Sequence, residues 1–191
     1  MKRILKNRFA LSTVVTTLII LVVSVLLAGV VTYFAINVTS TRVQEESLIL
    51  TKQHVWVEQD STAVAAIMIT NTGGRDVVIS KLTCRGQDVD MAADVWYVLA
   101  VAGDDLTADL TYAAGDTIDA TYIFGGLTGT PSQPASGSNL VLPSGETMGI
   151  YITNPDSITV NDVGLTVAIT AFTSQAMYYR EANVQAYAPV V

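Results

Sequence analysis

Cysteine, histidine and proline are all scarce in this chain. Among 191 residues there is one cysteine, Cys84, and one histidine, His54, and the five prolines all lie at or beyond Pro131. A lone cysteine excludes an intrachain disulfide and any site that needs two thiolates; a small buried hydrophobe is the role expected of it. A lone histidine leaves a Ser-His-Asp or Cys-His relay only one place to be built. His54 falls where helix is expected to give way to the first strand, which is a packing position. No HExxH, glycine-rich phosphate loop or paired-cysteine pattern occurs. The expectation is a protein with no enzymatic activity, no cofactor and no metal.

Charge is missing from one long stretch. Between Val14 and Val38, a run of 25 residues, there is no charged side chain. A helix of that length spans roughly 37 Å, enough to cross a hydrocarbon core of about 30 Å with some tilt. Basic charge is in turn scarce after the start. Residues 1–10 hold Lys2, Arg3, Lys6 and Arg8 and no acid, which leaves six basic against seventeen acidic residues in the remainder, a net of −11. So acidic a remainder lacks the basic footprint that nucleic-acid binding needs. The positive-inside rule places residues 1–10 in the cytoplasm and the C-terminal part across the membrane.

What is present divides into a helix and a β-rich region. Gly29 is the only glycine before Gly73, and from Leu11 to about Ala35 the segment is apolar on all sides, as expected of a helix surrounded by lipid or other helices. Ser12, Thr13, Thr16, Thr17, Ser24 and Thr32 are its polar interruptions, each able to bond back one turn. Ile36, Val43 and Leu50 recur every seven residues, which predicts that the helix continues to about Lys52 with one apolar stripe. From His54 onward the helical period is lost. "HVWVEQ", "AVAAIMITN", "DVVISKLTC", "DVWYVLAV", "TIDATYIF", "ETMGIYITN", "VGLTVAITAF" and "MYYREANVQAY" alternate with turn compositions. In "DVVISKL", Val77 and Ile79 face one way and Val78 and Ser80 the other. The fold class expected is α+β: a long N-terminal hydrophobic helix over 11–53, then an antiparallel, Ig-like β-sandwich over 54–191. The Gly/Ser/Thr/Pro-rich stretch 125–139 is the expected exposed loop.

Three candidate sites need weighing. "GDDLTADLTYAAGD" brings Asp104, Asp105, Asp109 and Asp116 close in sequence, but it lacks EF-hand spacing and the terminal glutamate, so a solvated acidic face is expected. "NTGGRD" supplies Gly73 and Gly74 for a tight turn between two strands and reads as a hairpin, with Arg75 and Asp76 starting the next strand. Asn37-Val38-Thr39 is the chain's N-glycosylation acceptor pattern, and Asn37 is a candidate for modification.

The junction "KNRFALSTVV" carries the most specific signal. A basic leader, the small residue Ala10 and then "LSTVVTTLIILVVSVLLAGVV" resembles the class III signal of archaeal type IV pilins and archaellins. An ordinary secretory signal has its small-residue exit site after the apolar run and loses that run. The resemblance implies instead that a prepilin peptidase cuts between Ala10 and Leu11 and keeps the helix. It divides the chain into a leader (1–10), a helix (11–53) and an outer domain (54–191). The bacterial branch usually has a glutamate at the fifth mature position, where this chain has Val15; the archaeal branch commonly lacks it. The opening of the helix looks more like an adhesion-type pilin than an archaellin.

The resemblance implies the major structural subunit of an extracellular filament on the cell surface, a helical homopolymer. Its precursor would sit in the cytoplasmic membrane with the N-terminus inside, to be extracted by an assembly ATPase and platform protein. The filament-core positions expected are Val14, Leu18, Val22, Val25, Gly29 and Phe34. The alternatives are an uncleaved bitopic surface protein whose β-sandwich binds a ligand, an archaellin of a motility filament, and a minor or tip pilin.

Overall fold

The computed structural model describes residues 8–60, 62–112, 118 and 124–187. The chain divides into two units, one ending at Gln44 and one beginning at Glu45. The first is a single helix, α1, Arg8–Gln44, of 37 residues. It contains no proline to break it and one glycine.

The predicted continuation of α1 to Lys52 is not what forms. The helix stops at Gln44, and residues 48–57 are the first strand, β1 (Leu48–Val57). Two local causes are visible. Glu45 and Glu46 put negative charge where the helix macrodipole is already negative. Leu48 and Leu50 are then buried while Ile49 between them is exposed, a period of two that suits a strand. Leu50, read from its spacing as the end of a helical stripe, is a strand residue of the domain core. The boundary expected at 53/54 accordingly falls at 44/45.

Beyond β1 come β2 (Ala63–Asn71), β3 (Val77–Cys84), β4 (Gln87–Asp88), β5 (Val95–Leu99), β6 (Leu140–Leu142), β7 (Thr147–Thr153), β8 (Thr166–Thr173) and β9 (Met177–Ala186). They form one curled nine-stranded sheet in the order β4-β3-β8-β9-β1-β2-β7-β5, with β6 paired to β3. The α+β class is thus what the chain adopts. Among the described residues all strand pairings are antiparallel but one. β9 runs antiparallel to β8 from Met177 to Asn183, and then parallel to β1 from Val184 to Ala186. This one strand joins the β3/β8 half of the sheet to the β1/β2/β7/β5 half.

Two apolar clusters hold the domain. The larger takes inward residues from both halves, among them Leu50, Ile67, Ile79, Leu142, Ile150, Ile169 and Val184. The smaller lies on the opposite face of β2 and β7, where Trp56, Met68 and Tyr151 meet Leu110, Ile118, Phe124 and Leu127 from the long β5–β6 connection. A strand buried on both faces has no polar side to show, and β2 and β7 are indeed almost continuously apolar. Gly149 lets this connection settle on β7: a Cβ there would come within 2.8 Å of Leu127 Cδ1 and 3.1 Å of Phe124 Cδ1. The loop expected to be exposed over 125–139 therefore begins packed, with Leu127 buried, and is exposed from Ala135 to Asn139. The expected strand "TIDATYIF" lies mostly outside the described residues.

"NTGGRD" is not a hairpin. β2 pairs with β1 and β7, whereas β3 pairs with β4, β6 and β8, so the segment crosses between the two halves. Neither Gly73 nor Gly74 has a positive φ. Gly73 is needed for closeness instead: a Cβ there would lie 2.6 Å from the Glu45 carbonyl oxygen and 2.9 Å from the Ser47 nitrogen.

Candidate functional site: the exposed helix and its junction

From Leu11 to Thr41 the helix is long and apolar enough to cross a membrane, and none of that stretch is buried within the chain. The six positions named for a helical core all lie on it. Val22, at 46%, is the least exposed of their large side chains, and Phe34, at 65%, is the most. Eighteen large apolar side chains between Leu11 and Val38 are exposed. Burying one such side chain is worth about 1.5–3 kcal/mol, so the uncovered helix in water carries a deficit on the order of tens of kcal/mol. Lipid or protein must cover it.

The polar atoms of the helix do not choose between those covers. Thr16 donates to the Ser12 carbonyl at 2.9 Å, Thr17 to Val14 at 2.9 Å, Ser24 to Ile20 at 2.7 Å and Thr32 to Ala28 at 2.8 Å. Each of these four hydroxyls is satisfied inside the helix that carries it. At Gly29 an added Cβ would meet nothing within 4 Å. The Ala10–Leu11 bond lies within α1. Asn37 is exposed, and its carbonyl accepts the Thr41 hydroxyl at 2.9 Å.

The other sequence candidates serve the β-domain. His54 Nε2 is 3.0 Å from Asp109 Oδ1, and its ring stacks on Trp56 at 4.9 Å. Burial pushes the Asp109 carboxyl up, but the His54 hydrogen bond and charge, the Leu110 amide and the Lys52 charge together outweigh it and hold the group below the usual range. Lys52 donates to the carbonyls of Leu106 and Ala108, so β1 grips the same loop twice. Asp104 accepts the Thr128 hydroxyl at 2.5 Å and the Val101 amide at 2.7 Å, and Asp105 accepts the Thr107 hydroxyl and amide. These bonds hold both carboxyls below the usual range. Asp116 lies outside the described residues. Among the described residues, no three histidine, cysteine or acidic side chains are grouped to hold a metal ion.

Cys84 is buried, which pushes its thiol up to about 12 and leaves it an inert hydrophobe near neutrality. It borders a cavity of about 110 Å³ with Asp88, Asp90, Asp94 and Asp156, well below the roughly 300 Å³ at which small-molecule sites begin. Asp88 there is paired with Lys81 at 2.6 Å, and Asp90 accepts the amides of Ala92 and Ala93.

What sequence reasoning missed is the fastening just after the helix. The Ser47 carbonyl accepts the amides of Thr72 at 2.9 Å and Gly73 at 3.1 Å, and the Ser47 and Thr72 hydroxyls meet at 3.0 Å. The Glu46 carboxylate accepts the Thr173 hydroxyl, and its carbonyl accepts the Tyr178 hydroxyl at 3.3 Å. Arg180 Nε donates to the Leu50 carbonyl at 3.0 Å. The glycine pair in "NTGGRD" was the one sequence signal for this arrangement.

No protein-family profile and no curated protein matches this chain. Solved structures with some likeness include the apo PmoF2 PCuAC domain, at 11% identity and a TM-score of 0.41, covering 75% of this chain and 95% of that one. The alkylpurine DNA glycosylase AlkC of Pseudomonas fluorescens follows at 9% identity and a TM-score of 0.28, covering 72% of this chain and 30% of that one. A β-glucosidase from Listeria innocua gives 12% identity and a TM-score of 0.25, covering 75% of this chain and 16% of that one. Likeness this distant carries no argument about function.

Proposed function

We propose that this protein is a non-enzymatic structural subunit, the major pilin of an archaeal type IV pilus-like filament that polymerises through α1 and serves adhesion. The observation that carries the reading is the 31-residue helix Leu11–Thr41, apolar on all sides and wholly uncovered, attached to a folded acidic domain. The likeness of "KNRFALSTVV" to a class III signal supports it. In the precursor, lipid covers the helix; after a prepilin peptidase cuts between Ala10 and Leu11, the assembly ATPase and platform protein draw subunits out, and helices of other copies replace the lipid. Burial among like helices replaces burial in lipid, so little apolar stabilisation is lost in the transfer. The β-domains then coat the outside, where net negative charge favours solubility. We read that domain as a sandwich whose two layers are joined through β9; the shared core drawn from both halves of the sheet supports this finer description.

A second reading has support from the same helix: an uncleaved anchor carrying a ligand-binding ectodomain needs no more than its length and apolarity. Two measurements on native cells separate them. A surface protein whose N-terminal mass begins at Leu11, found in filaments by electron microscopy, supports the pilin. A chain that retains Met1, with no filaments, overturns the pilin and leaves the anchor.

A further inference from the structure

The geometry points to a tension clamp at the root of the β-domain: the contacts around Glu46–Leu50 hold the start of β1 against a pull delivered along α1. Only Glu45, Glu46 and Ser47 separate the end of α1 from β1. A tether with slack would carry glycine, serine or proline over many residues and few bonds. Here two of the three residues are bonded to distant parts of the domain, and the carbonyl of the other packs so closely on Gly73 that no side chain fits there.

The clamp closes a gap that the sheet itself leaves. β1 is laddered to β2 from Leu48 onward, but its other edge meets β9 only at Val55–Val57. Over Leu48–Thr51 that second edge has no ladder partner among the described residues, and β9 from Met177 to Asn183 is paired with β8. The Leu50 carbonyl on this stretch is taken by Arg180 Nε, and the Glu46 carbonyl just before it by the Tyr178 hydroxyl, both from β9. The 71–73 crossover takes the Ser47 carbonyl. Tension from α1 therefore meets the bonds of Glu46 to Tyr178 on β9 and to Thr173 on β8, and those of Ser47 to the crossover, before it reaches the ladder at Leu48; the Arg180 bond then reinforces the first rungs of that ladder. The bonds on Glu46 and Ser47 must give way before β1 can begin to leave the sheet, whereas an unclamped strand end would peel from Leu48 at once.

The inference rests on α1 being the domain's tether, which the filament and anchor readings share. The test is single-molecule pulling on the full-length chain in a detergent micelle, with one handle at the N-terminus and the other at the C-terminus. The wild-type domain is expected to give way in one step. The triple variant Thr72→Val, Tyr178→Phe, Arg180→Met removes three side-chain donors, and is expected to release the β1 end first, roughly tenfold faster at equal load. A Ser47→Cys, Thr72→Cys pair, oxidised, is expected to abolish that early step in the triple variant's remaining background (Tyr178→Phe, Arg180→Met). Equal release rates in wild type and triple variant, with both folded by circular dichroism before pulling, would overturn the clamp. That result leaves the pilin reading standing, because the pulled chain is a monomer and filament formation is not measured.

Discussion

Asn71 Nδ2 donates to the carbonyl of Leu142 at 3.0 Å, joining the last residue of β2 to the end of β6 across the two halves of the sheet. The Asn71 side chain is fully buried, and it also donates to the Arg75 carbonyl at 2.8 Å and accepts the Gly73 amide at 3.0 Å. Replacing it by leucine removes three hydrogen bonds at once: the Gly73 amide keeps the Ser47 carbonyl, but the Leu142 and Arg75 carbonyls lose the Asn71 donor, the first of them in a buried site. Asn71→Leu is therefore expected to lose about 2–3 kcal/mol of stability, read as a lower urea midpoint with the slope unchanged.

Val22 sits midway along the uncovered helix, with no acid or base within a turn of it in sequence. Val22→Asp places an unpaired charge wherever that helix is covered, at a cost of several kcal/mol per copy. The expected outcome is a normally folded β-domain, by near-ultraviolet circular dichroism, with no filaments under the electron microscope. Filaments of ordinary length and number from this variant would remove α1 from their core.

Gly149 is the place where the long β5–β6 connection lies flat on β7. Gly149→Val pushes against Leu127 and Phe124, and overpacking of this kind costs about 1–3 kcal/mol. The smaller apolar cluster should loosen first. Emission from Trp56, which belongs to that cluster, should shift to the red before the main unfolding transition in a urea titration.

The acidic loops set a direction for pH dependence. Asp104, Asp105 and Asp109 all have carboxyls lowered from 3.8, by Thr128, by Thr107 and, against burial, by His54 respectively. A group lowered in the folded state stabilises it fully above its unfolded value and loses that contribution as pH falls through the folded value. Stability is therefore expected to be flat from neutrality to about pH 4 with respect to these groups and to fall below it. Asp104→Asn and Asp109→Asn should each shrink the acid-dependent part of the curve, measured by urea unfolding at a series of pH values.

Much of the β-domain could be read from local pattern. The limits of β2, β3, β7, β8 and β9 follow their apolar runs closely, because each run ends at a turn composition. Pairing could not be read in the same way. "NTGGRD" has the chemistry of a hairpin turn, but whether two strands flanking a turn become neighbours depends on which faces the core must cover, and here β7 takes the place beside β2. The start of β1 was obscured by three apolar residues at helical spacing, where burial at alternate positions decides for strand. β4 and β6, of two and three residues, leave no periodicity to detect. For the candidate site the contrast is sharper. The helix declares itself in one unbroken run, while the fastening at its end draws on Ser47, Thr72, Thr173, Tyr178 and Arg180, residues that only the finished fold brings together.

The inward-turned hydroxyls of α1 have a consequence for how copies of this chain recognise one another. The apolar groups of α1 face all round, and the hydroxyls of Thr16, Thr17, Ser24 and Thr32 are already bonded within the helix, so these four set no preferred azimuth. Rotating the helix about its axis changes shape contacts but breaks none of those four bonds. Over Thr16–Thr32 the bonded hydroxyls thus add nothing to the cohesion that the apolar groups supply. Whatever fixes the angle between one copy and the next has to be written in the relief of its side chains or in the domain it carries.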